Sequence, residues 1–150
     1  MALSADENSL KLCQVVLDST EPRELAEFYR VLLGLVYRPG DEPPEGGEGG
    51  EGGEGDEAGR DWLVLRTAEG APCMAFQHVD RLAAPTWPEG AVPQQMHLDL
   101  SVSSVEDLQA QHERVLAFHG RLLSDHAEGP GEPFRVYADP SGHPFCIFVS

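Results

Sequence analysis

An internal repeat constrains the fold of this chain more than any other feature. The segment QVVLDSTEPREL, which starts at Gln14, returns 83 positions later as HLDLSVSSVEDL from His97. Leu17 then matches Leu100, and Leu25 matches Leu108. Each copy begins with a short run of strand character, passes through a turn and continues with apolar residues at helical spacing. The chain is therefore expected to build the same structural unit twice.

The elements of each unit follow from local signals. The first helix is expected from Ser19 or Thr20 to about Gly34, and the second from a capping box at Ser103 or Ser104. Three short runs of strand character follow each helix, at 35–38, 61–67 and 73–79 and again at 122–124, 134–138 and 145–149. The sequence thus predicts an α+β fold of two βαβββ modules in tandem. Their strands would form a curved, barrel-like mixed sheet with a cleft, and their helices would lie outside it.

The whole chain fits one domain, 1–150, because 150 residues are the size of an ordinary domain. Module one covers about 10–80, and module two covers 95–150. The linker between them, 80–94, contains RLAAPTWPEGAVPQ, whose prolines disfavour helix and strand.

An acidic, glycine-rich insertion interrupts module one at 41–59. Its main part, DEPPEGGEGGEGGEGDE, holds eight acidic residues and no basic one, which is half of the formal net charge of −16. A segment with so little to bury is expected to be disordered. The alternative is an acidic lid or an arm that attracts cations.

The charge and hydropathy of the chain exclude several classes of partner. A net charge of −16 has the wrong sign for binding nucleic acid or anionic lipid. No apolar run approaches the ~18 to 20 residues of a membrane helix. The acidic start, MALSADENSLK, does not resemble a signal peptide, and three cysteines without CxxC spacing are typical of reduced thiols. We therefore expect a cytoplasmic protein.

Side-chain alternation along the strands separates an apolar face from a mixed face. A face in plain solvent would not need Phe76 and Phe148, while a sealed core would not contain Gln14 and Asp99. Mixed chemistry on a concave face is typical of a ligand cleft. The predicted cleft is lined by Gln14, Trp62, Met74, Phe76, His97, Asp99, Cys146 and Phe148.

Two residues of this cleft could carry proton-transfer chemistry. His97 and Asp99 are two positions apart, so both side chains point from the same face of one strand. An imidazole beside a carboxylate can move a proton at neutral pH, which makes them the candidate catalytic residues. Alternatively, Asp99 pairs with Arg135 or Arg66. The Cys146 thiol lies between apolar neighbours, so we expect burial to raise its pKa and prevent nucleophilic chemistry.

The order of motifs resembles a known superfamily. The βαβββ repeat, the strand AFQHV, the linker TWP, the strand QQMHLDL and the ending DPSGHPFCIF follow one another in this chain. Together they resemble the glyoxalase-like branch of the glyoxalase, bleomycin-resistance and extradiol-dioxygenase superfamily, the vicinal oxygen chelate proteins. The resemblance covers nearly all of the chain except the acidic insertion and the first residues.

The resemblance also implies where a metal would bind. Metal-using members take their ligands from the first and last strands of each module, which here correspond to Gln14, Met74, His97 and Cys146. Met74 and Cys146 stand where those relatives have a glutamate, so the site lacks the carboxylates that hard cations need. We therefore expect no cofactor. The alternative is a divalent metal held by His97 with Gln14 and Cys146.

We accordingly expect a glyoxalase-like small-molecule binding protein that sequesters or senses a metabolite or drug without an essential metal. The alternative is a lyase, isomerase or dioxygenase in which His97 acts as a metal ligand or a general base. A homodimer is expected on the resemblance alone, since paired modules can close a cleft within one chain or across a two-fold axis.

Overall fold

The repeat in the sequence produces two structural units of the same plan. The computed structural model describes residues 10–45 and 55–150. The first unit consists of β1 (Val15–Ser19), α1 (Pro22–Leu33), β2 (Val36–Tyr37), a short helix α2 (Ala58–Asp61), β3 (Trp62–Arg66) and β4 (Pro72–His78). The second consists of β5 (Leu98–Val102), α3 (Val105–Ala117), β6 (Arg121–His126), β7 (Phe134–Ala138) and β8 (Pro144–Val149). The predicted α+β class and the tandem βαβββ modules are confirmed.

Each unit forms one four-stranded mixed sheet. The strand orders are β1-β4-β3-β2 and β5-β8-β7-β6, and only the β1–β4 and β5–β8 pairs are parallel. Both sheets are open, so the strands do not close into a single barrel. Strands β1 and β5 are therefore edge strands of their sheets.

Helix α1 begins at Pro22, two or three residues later than the expected start at Ser19 or Thr20, and ends before Gly34 as expected. Pro22 occupies the first turn of α1, and the Ser19 hydroxyl accepts a hydrogen bond of 2.9 Å from the Glu21 N–H. At the start of α3 the Ser104 hydroxyl accepts from the Asp107 N–H at 3.0 Å, which confirms one of the two predicted caps. Within the described part of the chain, no helix combines the length and the apolar character needed to cross a bilayer.

One continuous hydrophobic core joins the two modules. Tyr29 on α1 stacks on Phe76 of the first sheet, with ring centroids 6.1 Å apart, and meets Phe145 of the second sheet edge-on at 6.3 Å. All three side chains are fully buried. Helix α1 therefore packs against both sheets, and its orientation fixes how the modules meet.

The predicted faces are wrong for strand β4. Met74 and Phe76 pair with Val15 and Leu17 of β1 and are themselves buried in the hydrophobic core, so they do not line a cleft. The reason is an irregularity in the β3–β4 ladder, where Leu65 pairs with Met74 but Arg66 pairs with Pro72. The extra residue in β4 shifts the strand by one position and reverses every face after it.

The ends of the acidic insertion are also ordered, contrary to the expectation for 41–59. Arg23 on α1 donates two hydrogen bonds to the Asp56 carboxylate, at 2.7 and 2.8 Å, and a third to the Asp41 carbonyl oxygen at 2.7 Å. Both acidic side chains are buried, and α2 follows directly. A buried guanidinium needs anionic or carbonyl partners, which the insertion supplies. Residues 46–54, the remainder of the expected disordered segment, lie outside the described residues.

Candidate ligand site

In the second sheet the predicted faces are correct. Asp99 pairs with Cys146, and Ser101 pairs with Phe148, so these side chains share the face opposite the core residues Leu100 and Ile147. In the first sheet, Trp62 pairs with Gln77, and both side chains lie on the face that corresponds to that of Asp99 and Cys146 in the second sheet. Gln14 directly precedes β1. Of the eight predicted cleft residues, Met74 and Phe76 are on the other side of the sheet.

The structure brings His97 and Asp99 together. Nε2 of His97 lies 3.3 Å from Oδ1 of Asp99, and the two side chains are 48% and 60% exposed. The alternative pairs of Asp99 are not formed among the described residues, because Nε of Arg135 lies 3.1 Å from Asp125 instead and no ion pair joins Asp99 to Arg66. The His97–Asp99 pair is thus largely in water, which screens its interaction.

The Cys146 thiol is not prepared for nucleophilic attack. Burial raises the pKa of Cys146, and the charge of Asp99 on the adjacent strand raises it further. A raised pKa keeps the thiol protonated near neutral pH, which is the direction expected from its apolar neighbours.

A pocket lies at the junction of the two modules. Its volume is about 360 Å³, and it is bounded by strand β1, the linker, the start of β5 and the β7–β8 turn. Of the eight predicted cleft residues, His97 alone lines it. The full lining is Val15, Val16, Leu17, Asp18, Tyr29, Leu82, Ala83, Pro85, Val92, Pro93, Gln95, Met96, His97, Leu98, Ser141, Gly142, His143 and Pro144.

Close packing of the linker against the β7–β8 turn closes one side of this pocket. A Cβ atom at Gly142, whose φ is +98°, would lie 2.7 Å from Cβ of Ala84 in the linker. Only glycine combines this backbone conformation with so close an approach. The linker itself is folded back, because the Thr86 N–H donates to the Val92 carbonyl oxygen at 2.8 Å.

The turn that contributes to the pocket is organised by Asp139. Asp139, Pro140 and Gly142 stand where a type I turn favours Asp, Pro and Gly, and the turn is closed by a 2.9 Å hydrogen bond from the Gly142 N–H to the Asp139 carbonyl oxygen. The fully buried Asp139 carboxylate accepts from the N–H groups of Ser141 and His143, both at 3.0 Å, and from the Tyr29 hydroxyl at 2.7 Å. Burial raises the pKa of Tyr29 well above its usual value, and the charge of Asp139 adds to this effect.

His143 connects this buried carboxylate to the pocket. Its Nδ1 lies 2.9 Å from Oδ2 of Asp139, while its side chain is 23% exposed and lines the pocket. The hydroxyls of Ser141 and Ser19 are hydrogen-bonded at 2.7 Å beside it. Sequence reasoning assigned no role to Ser141 and His143, because the Asp-Pro-Ser-Gly turn explained their positions. The spacing of four between Asp139 and His143 across a tight turn was the available signal.

The donor set does not fit a metal centre. In the repeat, Val16 of module one corresponds to Asp99 of module two. Val16 pairs with Ala75 and Asp99 pairs with Cys146, so the residue that corresponds to Cys146 is Ala75. The match of Met74 to this ligand position is therefore wrong. A methyl group cannot ligate an ion. Over residues 10–45 and 55–150, no three His, Cys, Asp or Glu side chains are grouped so that they could hold one.

Solved structures share this fold at low sequence identity. A glyoxalase/dioxygenase from Nostoc punctiforme aligns with a TM-score of 0.64 at 17% identity, covering 100% of this chain and 97% of that one. A glyoxalase/bleomycin resistance protein/dioxygenase family enzyme from Burkholderia phytofirmans PsJN gives 0.60 at 15% identity, with 91% and 96% covered.

A lactoylglutathione lyase from Agrobacterium tumefaciens gives a TM-score of 0.55 at 14% identity, with 96% of each chain covered. At such identities the likeness is one of fold. A comparison with curated protein sequences gives no match. The sequence profile described as glyoxalase-like domain matches residues 14–148. This match spans nearly the whole chain, which therefore belongs to the glyoxalase-like domain family.

Proposed function

We propose that this chain binds a small organic molecule in the pocket at the module junction and so sequesters or senses a metabolite or drug. The observation that carries the proposal is the pocket itself, about 360 Å³ in volume and mostly apolar in its lining. A few polar side chains converge on it, among them Asp18, His97 and His143. Concave, mainly apolar pockets with few polar groups are the usual form of small-molecule sites.

Binding would not require a metal. The alternative of a metal-dependent lyase, isomerase or dioxygenase needs several anionic or imidazole ligands around one ion. Here Ala75 and Cys146 occupy the two corresponding strand positions, and burial keeps the thiol protonated. The donor chemistry therefore favours a ligand held by apolar contact and hydrogen bonds.

A larger ligand could also reach the predicted cleft. His97 lines the pocket and contacts Asp99, which shares a sheet face with Cys146 and Phe148. This face therefore continues from the mouth of the pocket along the second sheet. We assign it the role of an extension of the site, with the pocket as its anchor.

A fragment screen on chelator-treated protein tests the proposal. Compounds that raise Tm in the presence of EDTA are expected, and their affinities are then measured by isothermal titration calorimetry. Ala83→Trp, on the exposed linker wall of the pocket, should weaken binding at least tenfold, because the indole fills the space. Ala68→Trp, exposed in the β3–β4 turn outside the pocket, is the matched control and should bind normally.

Two results would contradict the proposal. One is binding that appears only after a divalent metal is added and is lost in His97→Ala. The other is equal affinity in Ala83→Trp and Ala68→Trp, which would place the ligand elsewhere.

A further inference from the structure

The buried Asp139 carboxylate is surrounded by donors. Two backbone N–H groups donate to its Oδ1, and the Tyr29 hydroxyl donates to its Oδ2. An ionised carboxylate can only accept hydrogen bonds. Because Nδ1 of His143 lies 2.9 Å from Oδ2, this ring nitrogen must supply the proton of that contact.

This contact fixes the tautomer of the neutral His143 ring. A neutral imidazole with its proton on Nδ1 has an unprotonated Nε2 that can only accept. Among the residues that the structure describes, no hydrogen bond uses Nε2 of His143. His143 is one of the residues that line the pocket, so Nε2 is the imidazole nitrogen left for a ligand there.

Asp139 and Tyr29 are positioning residues for this acceptor. Their side chains are fully buried in the core that joins the modules, so the carboxylate cannot rotate away from the ring. A carboxylate that orients an imidazole and fixes its tautomer is a recurring arrangement in functional sites. The acceptor is therefore held ready before any ligand arrives.

The other ionisable groups of the pocket reinforce this polarity. Asp18 contributes a carboxylate, and Nε2 of His97 lies 3.3 Å from the Asp99 carboxylate. No lysine or arginine is present among the pocket-lining residues. An anionic ligand would thus meet a carboxylate and neither lysine nor arginine, while a donor would find an acceptor in place.

We infer that the ligand is a neutral or basic molecule with an N–H or O–H group, and that Nε2 of His143 accepts the hydrogen bond from that group. This inference rests on the proposed function, since it names the ligand class of the same pocket. The acceptor is His143, in the β7–β8 turn, and not His97.

The tautomer can be measured without any ligand. Long-range ¹H–¹⁵N NMR spectra of the six histidines at pH 8 should show His143 with its proton on Nδ1. In Asp139→Asn the carboxylate is lost and the Nε2–H form should become substantially populated, whereas in Tyr29→Phe the Nδ1–H form should persist. An Nε2–H signal for His143 in the wild-type protein overturns the inference.

Three probes of similar shape then test the ligand class: indole, 1-methylindole and indole-3-carboxylate. Indole should bind and shift Nε2 of His143. Removing the N–H in 1-methylindole should weaken binding about 2- to 10-fold, the usual value of one neutral hydrogen bond. Indole-3-carboxylate should bind more weakly than indole despite its N–H, because its charge is unfavourable beside Asp18.

Variants assign the preference to one residue. The preference for indole over 1-methylindole should disappear in His143→Phe and remain in His97→Phe. Loss of the preference only in His97→Phe, tightest binding by the carboxylate, or no binding of indole in the pocket overturns the inference. Each of these results leaves the proposed function standing if other fragments bind there without metal. The proposed function fails on different results, namely binding that needs an added divalent metal and is lost in His97→Ala, or equal affinity in Ala83→Trp and Ala68→Trp.

Discussion

Arg23 shows how one buried charge can organise a loop. Its side chain is 3% exposed, forms two hydrogen bonds to Asp56 and lies over the ring of Tyr37 at 4.9 Å. Removing one partner of a buried ion pair leaves the other charge without compensation, which is far more costly than losing an exposed pair. The acidic insertion is therefore attached to α1 at both ends by a single guanidinium.

Replacement of this guanidinium should be strongly destabilising. Arg23→Met is expected to lower the free energy of unfolding by about 3 to 5 kcal/mol, because Asp56 stays buried without its partner. Arg30→Met removes the partly exposed pair with Glu27 and should cost less than about 1 kcal/mol. Urea denaturation of both variants measures the difference, and equal losses would contradict the role given to Arg23.

The same pair predicts the response to acid. Hydrogen bonding to Arg23 lowers the pKa of Asp56 below its usual value, which is about 3.9 in an unfolded chain. A lowered folded-state pKa stabilises the protein above the unfolded value, and this contribution is lost as the pH falls through the folded value. The free energy of unfolding, measured by urea denaturation at a series of pH values from 6 to 3, should therefore fall more steeply with decreasing pH for the wild-type protein than for Asp56→Asn. Parallel curves would show that Asp56 does not titrate this way.

The sequence cannot identify this pair among the alternatives. Asp56 is one of eight acidic residues in the segment from 41 to 57, all equally available by composition. Which of them meets Arg23, 33 positions earlier, depends on the path of the chain. By contrast, the His97–Asp99 contact was predictable because alternation along one strand determines it.

Among the elements, strand β4 departs most from the sequence-based alignment. Matching GAPCMAF at 70–76 to GHPFCIF at 142–148 makes Phe76 equivalent to Phe148, but the irregularity in the β3–β4 ladder moves Phe76 to the core face. A one-residue bulge leaves no reliable trace in hydropathy, since Met74, Ala75 and Phe76 are all apolar and all buried. Caps and turns were predictable because their signals are local.

The two phenylalanines test this register. Phe76→Ala should cost about 3 to 5 kcal/mol, because a fully buried ring next to Tyr29 is deleted. Phe148→Ala should cost clearly less, because Phe148 is only partly buried on the opposite face. Chemical denaturation of both variants measures the loss of unfolding free energy in each. A larger loss for Phe148→Ala would contradict the placement of Phe76 on the core face.

The β7–β8 turn has a comparable test. Gly142→Ala and Gly131→Ala both place a side chain at positive φ, which costs roughly 1 to 2 kcal/mol in the left-handed region. At Gly142 the new Cβ also meets Ala84, whereas at Gly131 nothing lies within 4 Å. Gly142→Ala should therefore be destabilised by about 1 kcal/mol more, and its fragment binding should weaken. Equal stability of the two variants would argue against tight packing of the linker on the turn.

At the scale of the whole molecule, the pocket exists because the two modules meet. Its wall combines β1 of one module, the start of β5 and the β7–β8 turn of the other, and the linker between them. These segments are far apart in sequence, and each is explained locally by strand pairing, a turn or a proline-rich connection. The tandem modules were therefore predictable from the repeat, while the position of the pocket depends on how α1 packs against both sheets.

Chemical-shift mapping on chelator-treated protein would test the junction pocket most directly. In ¹H–¹⁵N NMR spectra recorded with the best fragment in the presence of EDTA, we predict the largest shifts at Val16, Ala83 and Ser141, which belong to three different walls of the pocket. Shifts centred on Cys146 and Phe148 that appear only after a divalent metal is added would contradict this account and favour the metal-dependent alternative.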